Sequence, residues 1–474
     1  MRSAAPRPVV AWALAIETIA LVLFVVSIRS RNGNLAGIAL VLVAFGAWYA
    51  MRDRIAAFDG DRALSRALVA AMAVAILLMV VMPSRQSADA FLYGIYGRIV
   101  AIHHSNPWRT VPADVPHDPI ERFVGGHWVH TPSYYGPVWI GWSALGAWVV
   151  PATKLSIRLL FQITSAVLAA AIGALLWRRT RSLATAALFV LQPLVLLSVV
   201  NGGHNDGLVA LCSLGAVLVL LDGMTTPDTT MSTARLSVAG VIFAVAALVK
   251  ATALLGAFGA VLWLFAAGRR RDAVWLGSIA GGLTAIAMAL APGSISALRG
   301  AGSETSFLSI WQTVRSALHP SLLVHGAVWG PENYGLSRAA PFVAAIAVVA
   351  AIAWLRPAIA RGAIGIEWAV MIGLTSYLVF GSWVMPWHLL WALPLVALIA
   401  DDRLWRVVTL QCVLVLGLFQ AEDWIRADLW RGLRVLVIVA VPLGIALAYA
   451  LVLRAVARDS VGNQPAPTGR PSMI

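Results

Sequence analysis

Residues 133–151 read SYYGPVWIGWSALGAWVVP, an uncharged run rich in Trp, Tyr and Gly. Its length is enough to cross a bilayer, for which about 17–25 apolar residues suffice. Its composition is instead that of an aromatic helix lying in the outer membrane interface, where amphipathic rings collect. The choice decides the fold. If the run crosses, every later segment inverts; if it lies flat, the chain around it is one long loop on a single side.

Composition makes a membrane the right frame. Of 474 residues, 60% are hydrophobic and only 12% charged, with a mean hydropathy of +0.83. A soluble domain carries about 25% charged residues, so a soluble globule, a disordered chain and a disulfide scaffold are all excluded. Segments of spanning or near-spanning length are 9–28, 35–51, 65–82, 157–177, 183–200, 207–221, 236–250, 252–267, 273–292, 339–355, 364–383, 388–400, 404–420 and 435–453. They predict an all-α polytopic membrane protein, a bundle of about 12–14 transmembrane helices. The stretch 236–267 reads as one long helix or two. The first segment lacks a small-residue cleavage site and is read as a retained helix, with Glu17 in an interhelical polar contact. One integral membrane domain is expected over 1–458, and the Pro-, Gly- and Ser-containing tail 459–474 is expected to be disordered and cytoplasmic. Cys212 and Cys412 lie in apolar runs with no CxxC or His neighbour, as small packing residues do.

The charge is strongly basic, 35 Lys+Arg against 21 Asp+Glu for a net of +14. These residues form short clusters between apolar runs instead of one patch, which argues against a nucleic-acid partner. Lys154 and Lys250 are the two lysines; the other basic residues are Arg. Placing 133–151 flat and the N-terminus in the cytoplasm puts about 20 basic residues in inner segments and about 6 in short outer loops. Inside are Arg52, Arg54, Arg62, Arg66, Arg178, Arg179, Arg181, Arg235, Arg269–Arg271, Arg356, Arg361, Arg403 and Arg406. Arg29 and Arg31 are the main exceptions. Both termini then face the cytoplasm, and two long loops, 83–156 and 293–338, lie outside.

The polar chemistry collects on that outer face. The first loop begins PSRQSADAFLYGIYGRIVAIHHSNPW, with Asp89 about seven residues past the membrane edge and Tyr93 one helical turn on. A carboxylate at the lipid–water boundary gains basicity from partial desolvation and suits deprotonation of a hydroxyl; the plainer role is a cap for a helix beginning at Ala90. NGGHNDG, 201–207, sets His204, Asn205 and Asp206 at a helix start, where sugar hydroxyls or a phosphate can be bound, or serves as a Gly-rich turn with Asp206 as its cap. Lys250, at the outer end of AVAALVKATALL, either snorkels to the interface or, together with Arg98, meets a lipid phosphate. In WVMPWHLLWALP, 383–394, Pro386 breaks a helix; Trp387 and His388 line a groove or, more simply, belong to an interfacial belt. Glu304, His319, His325, Trp329, Glu332 and Tyr334 of the second loop are available to an acceptor, with no spacing that singles one out. Neither long loop holds a DxD pair, so no metal or other cofactor is expected.

Together these pieces resemble the GT-C superfamily of membrane glycosyltransferases, in particular the actinobacterial α-mannosyltransferases that use polyprenyl-phosphate mannose and build lipomannan-type glycolipids. The resemblance rests on DAFLYGIYGRIVAIHHSNPW (89–108), TPSYYGPVW (131–139), NGGHNDGL (201–208), LVKAT (248–252) and MPWHLLW (385–391), in that order. Trp108 stands where such proteins more often have tyrosine. The resemblance implies a long first outer loop with a membrane-parallel helix at YYGPVW and a catalytic carboxylate near its start, the position of Asp89. It further implies inverting transfer of a sugar, mannose above all, from a lipid monophosphate to a glycan or glycolipid hydroxyl. Arg98, Lys250, His204, Asn205 and Asp206 are the candidates for the donor phosphate and sugar; Tyr93, Tyr134, Tyr135, Trp387 and His388 for the acceptor or the groove wall. The competing readings are a lipid-linked-sugar transporter or flippase, and an envelope scaffold. Transporters place polar groups near the membrane midplane on repeated halves, whereas here the polar clusters lie at one face and no repeat is visible.

Overall fold

The computed structural model describes residues 6–27, 33–56, 59, 61–84, 86–224, 231–301, 305–307, 309–318, 337–427 and 431–462. His319, His325, Trp329, Glu332, Tyr334 and Glu304, together with Arg29, Arg31 and the tail from 463, lie outside the described residues. Among the described residues there is no strand. The fold is all-α and belongs to a polytopic membrane protein.

Helices α1 (Pro6–Ser27), α2 (Gly33–Ile55) and α3 (Arg62–Val81) precede the first long loop, which carries α4 (Asp89–Ala101) and α5 (Pro137–Val149). The chain continues through α6 (Lys154–Thr180), α7 (Leu183–Val190), a π-helical turn (Val195–Asn201), α8 (Asp206–Leu221) and α9 (Thr233–Ala247). Then come α10 (Leu254–Ala266), α11 (Arg270–Ala289), α12 (Ser294–Ala301), α13 (Ile310–Leu318), α14 (Ala340–Ala360), α15 (Ile366–Phe380), α16 (Leu393–Ile399), α17 (Asp402–Ala427) and α18 (Arg431–Gly462). Small polar residues start several of them: the side chains of Asp61, Thr153, Ser182 and Ser232 accept the first free N–H groups of α3, α6, α7 and α9. The last helix runs to Gly462, beyond the expected start of the tail, and Asp459 on it pairs with Arg403 at 2.7 Å.

Six helices among the described residues are long and apolar enough to cross a membrane, or seven if the bent pair Leu183–Val190 and Val195–Asn201 counts as one. Six further apolar helices have only 10–17 residues. Breaks account for the shortness. Stretch 236–267 is two helices, α9 and α10, parted by an extended Lys250. Pro193 bends the next break by 65°, and Gln192 Oε1 accepts the N–H groups of Leu194 and Val195 that the proline frees. A third break, Gly381–Met385, separates α15 from the 3₁₀ turn Pro386–Trp391. Two of these interruptions carry residues singled out above: Lys250 sits in the first, and Trp387 and His388 follow the third.

Helix α5 has 13 residues, about 20 Å, and is short of the roughly 30 Å hydrocarbon core. Trp148 and Val149 at its end are exposed. Segment 133–151 therefore holds no full-length span, as its composition suggested.

Residues that the charge pattern assigns to one side meet one another. Arg52 pairs with Asp402, Arg179 with Asp222 at 3.2 Å, and Asp59 accepts from Ser182 Oγ at 2.6 Å. Glu17 behaves otherwise. Both its oxygens are buried with no hydrogen bond to a described residue, so the expected interhelical contact is not formed. Cys212 and Cys412 are free and pack among apolar neighbours.

Candidate active site

Asp89 is the first residue of α4, and it does not cap the helix. Ala88 holds the cap position without a side-chain bond, and the Asp89 N–H donates to Ser87 Oγ at 3.0 Å. The carboxylate is left to look elsewhere. Its Oδ2 lies 3.4 Å from His204 Nε2 and 3.5 Å from the Tyr93 hydroxyl, and its side chain is 18% exposed, toward a cavity. Tyr93 also reaches Asn205 Oδ1 at 3.4 Å. Its ring is wedged edge-on between Tyr135, Trp139 and Phe161, with centroids 4.9–5.2 Å away. Burial, reinforced by the charges of Asp89 and Asp206, pushes the Tyr93 phenol well above its ordinary value and keeps it a donor.

Burial pushes the Asp89 carboxyl upward as well. The hydrogen bond and charge of His204, the charge of Lys250 and a bond from Ser87 outweigh it, and the net direction is down. The expected gain in basicity from desolvation is thus reversed by His204, Lys250 and Ser87. Asp89 is ionised at neutral pH.

The NGGHND turn needs both of its glycines. Gly203 has φ +69°, in the left-handed region, and a Cβ on Gly202 would stand 2.3 Å from His204 Nδ1. The turn is tied down on two sides. Asn201 Nδ2 donates to the carbonyls of Met79 and Met82 at 3.0 and 3.1 Å, and Gln162 Nε2 donates to Asn201 O at 2.8 Å. Ser165 Oγ donates to His204 O at 2.9 Å.

Asp206 opens α8 and is fully buried. Lys250 Nζ donates to both of its oxygens at 2.8 and 3.0 Å, and Trp391 Nε1 donates to Oδ1 at 2.6 Å. Asp206 therefore faces the Lys250 ammonium and the Trp391 N–H. The first loop is stitched to this break, since the N–H groups of Gly136 and Val138 donate to Val249 O and Leu248 O, both at 3.1 Å.

The PWHLLW turn points inward. Trp387 stacks on His204 with centroids 3.9 Å apart, and His388 stacks on Trp391 at 4.8 Å. All three turn rings are buried, which corrects the reading of Trp387 and His388 as an interfacial belt. Arg98 is placed apart from this cluster. Its Nε donates to Asp118 at 2.8 and 3.0 Å, and His103 Nε2 lies 2.8 Å from the same carboxylate. Asp118 is buried, and the trio pins the first loop; Arg98 is not among the residues lining the cavity.

The cavity is about 930 Å³. One end holds Asp89, Tyr134, Tyr135, Lys250, Trp387 and His388; Tyr134 and Tyr135 join hydroxyls at 3.0 Å. The other end is an apolar arm between α10, α11 and α14, lined by Phe258, Val261, Gly277, Gly281 and Ala345. Trp128 and Trp383 stand on the wall beside Tyr134, with centroids 6.0 Å apart. Sequence reasoning missed Asp118, Trp391, Trp128 and Trp383. Trp391 alone had a signal, one turn after Trp387 in the same short motif.

No curated protein and no solved structure matches the chain. Residues 9–267 match a family model described as alpha-(1->6)-mannopyranosyltransferase, N-terminal domain, of the MptA_B family. That match covers more than half of the chain and includes Asp89, the GGHND turn and Lys250, so the chain belongs to the MptA_B family of mannosyltransferases and is a membrane glycosyltransferase.

Proposed function

We propose that the protein transfers mannose from a polyprenyl-phosphate donor to a hydroxyl of a glycan or glycolipid, with inversion, at the outer face of the cytoplasmic membrane. The observation that carries this reading is one continuous cavity joining a carboxylate, a lysine and an apolar arm between helices. A prenyl chain fits such an arm, and its phosphate at the mouth would meet Lys250. Family membership sets the flippase alternative aside.

Asp89 is the general base. It accepts the acceptor hydroxyl's proton as that oxygen attacks C1 of mannose and the bond from C1 to the phosphate oxygen breaks. The leaving lipid phosphate takes up the electron pair, and its developing charge is met by Lys250, held in place by Asp206 and Trp391. Tyr134, Tyr135, Trp387 and His388 line the same space, with His204 and Asn205 behind Asp89 and Tyr93. No step uses a metal. The basic clusters support a cytoplasmic position for both termini and an outer active site. The activity for which the family is described makes an alpha-(1->6) bond the linkage expected in the product.

The test is purified protein in bilayers with polyprenyl-phosphate mannose or a nucleotide-linked mannose, an oligomannoside acceptor, and linkage analysis. Transfer from the lipid donor alone, forming an alpha-(1->6) bond, is expected. Transfer only from the nucleotide sugar would overturn the reading.

A further inference from the structure

The histidine of the GGHND turn has a fixed protonation pattern that the reaction above does not use. His204 Nδ1 contacts the carbonyl oxygen of Ser198. A carbonyl only accepts, so Nδ1 carries a hydrogen. The π-helical turn supplies this acceptor: the N–H groups of Gly202 and Gly203 go to the carbonyls of Leu197, Val199 and Val200, which leaves that of Ser198 to the imidazole. The second nitrogen, Nε2, is buried without a hydrogen bond and faces Asp89 Oδ2 at 3.4 Å.

A neutral ring with its hydrogen on Nδ1 would aim a lone pair at a carboxylate oxygen inside a dry pocket, an arrangement that costs free energy. A proton on Nε2 removes the conflict. The surrounding charges favour it too. Asp89 and Asp206 are two carboxylates and Lys250 is one ammonium, so the cluster is one positive charge short of neutral. Of the neighbouring groups, Tyr93 is a neutral donor to the same Asp89 oxygen, Ser165 is a neutral donor to the His204 backbone carbonyl, and His388 is a buried ring on the same turn as Trp387. Trp387 lies face-on against the imidazole, 3.9 Å away, a placement that suits a cation.

Resting on the proposed role of Asp89, we infer that His204 is an imidazolium in the resting enzyme and acts as a positioning residue, binding Oδ2 of Asp89 so that the carboxylate stays ionised with Oδ1 turned to the acceptor. Charge balances through the step. The acceptor's proton moves to Oδ1 while the lipid phosphate gains one negative charge, and His204 keeps its own proton throughout.

The experiment is the pH profile of kcat/KM for His204→Gln in bilayers, beside the wild type and Asp89→Asn. Glutamine can still donate to Asp89 but has no charge, so the acid limb should move to higher pH by roughly 1 unit, the effect of losing one close opposite charge. A lower rate with the limb unmoved would show a merely structural histidine and overturn the inference. Asp89→Asn separates the two readings: an active Asp89→Asn defeats the base itself, whereas an inactive one with an unmoved His204→Gln limb defeats only the imidazolium. Solid-state NMR of ¹⁵N-histidine-labelled wild type gives a second readout should His204→Gln fail to fold. An imidazolium signal at neutral pH that disappears in Asp89→Asn is expected; identical spectra would refute it.

Discussion

Lys250 Nζ sits on both oxygens of Asp206, at 2.8 and 3.0 Å, across a helix break that the sequence shows only as a lysine in an apolar run. The pair divides labour between two residues that the sequence suggested for the same task. Lys250 faces the cavity, with a side chain 13% exposed, while Asp206 is closed off behind it.

Their coupling can be measured. Lys250→Met leaves a buried carboxylate without its ammonium, and Asp206→Asn leaves the ammonium without its carboxylate. Each single change should cost about 3 kcal/mol, the usual penalty for breaking a buried pair. The double variant should recover most of that loss in thermal unfolding. A double-variant loss equal to the sum of the two single losses would mean that the pair is not coupled.

Transfer assays should split the same residues differently. Lys250→Met is expected to raise the KM for the lipid donor by roughly 10–100-fold, as loss of one charge-assisted bond does, with a much smaller change for the acceptor. Comparable effects on both substrates would place Lys250 away from the phosphate.

The apolar arm gives a test by size. A Cβ on Gly281 would meet no neighbour within 4 Å, so Gly281→Leu should fold normally and fill the arm. The KM for a long prenyl donor should rise several-fold, a donor with a very short prenyl chain should be spared, and the acceptor KM should hold. An unchanged donor KM would mean that the tail lies elsewhere.

Arg98 is expected to act on stability and not on the donor. Arg98→Gln leaves buried Asp118 without its guanidinium, with His103 Nε2 as its remaining side-chain contact, and should lower the unfolding temperature. Residual folded protein should bind the donor with unchanged affinity, as read from donor KM.

The lowered Asp89 carboxyl also fixes a pH dependence. A carboxyl depressed in the folded state contributes stability above its unfolded value of about 3.9, and loses it as pH falls through the folded value. The stability of the wild type relative to Asp89→Asn should be flat from about pH 6 down to the ordinary carboxylate range and fall below it. A difference that instead declines as pH rises from about 4 to 6 would show the opposite shift.

How much of this was legible beforehand depended on whether the signal was local. Asp89, the GGHND turn, Lys250 and the PWHLLW turn stood out because polar residues interrupting apolar runs are costly, and the structure brings them together: three line one cavity, and the GGHND turn contacts Asp89 and Lys250 from behind. Partners distant in sequence were not legible. Nothing near Arg98 announces Asp118 twenty residues on, and nothing near Asp206 announces Trp391. Helical length misled for a related reason: hydropathy counts apolar residues through a break, whereas Pro193, Lys250 and Gly381–Met385 end the helices themselves.

The most direct measurement is mannosyl transfer by Asp89→Asn in bilayers, with polyprenyl-phosphate mannose and an oligomannoside. The side chain keeps its shape and loses its charge. Transfer should fall by about 10²–10⁴-fold, the usual contribution of a general base, while the protein still folds and retains the donor. Turnover within a few-fold of the wild type would contradict the account at its centre.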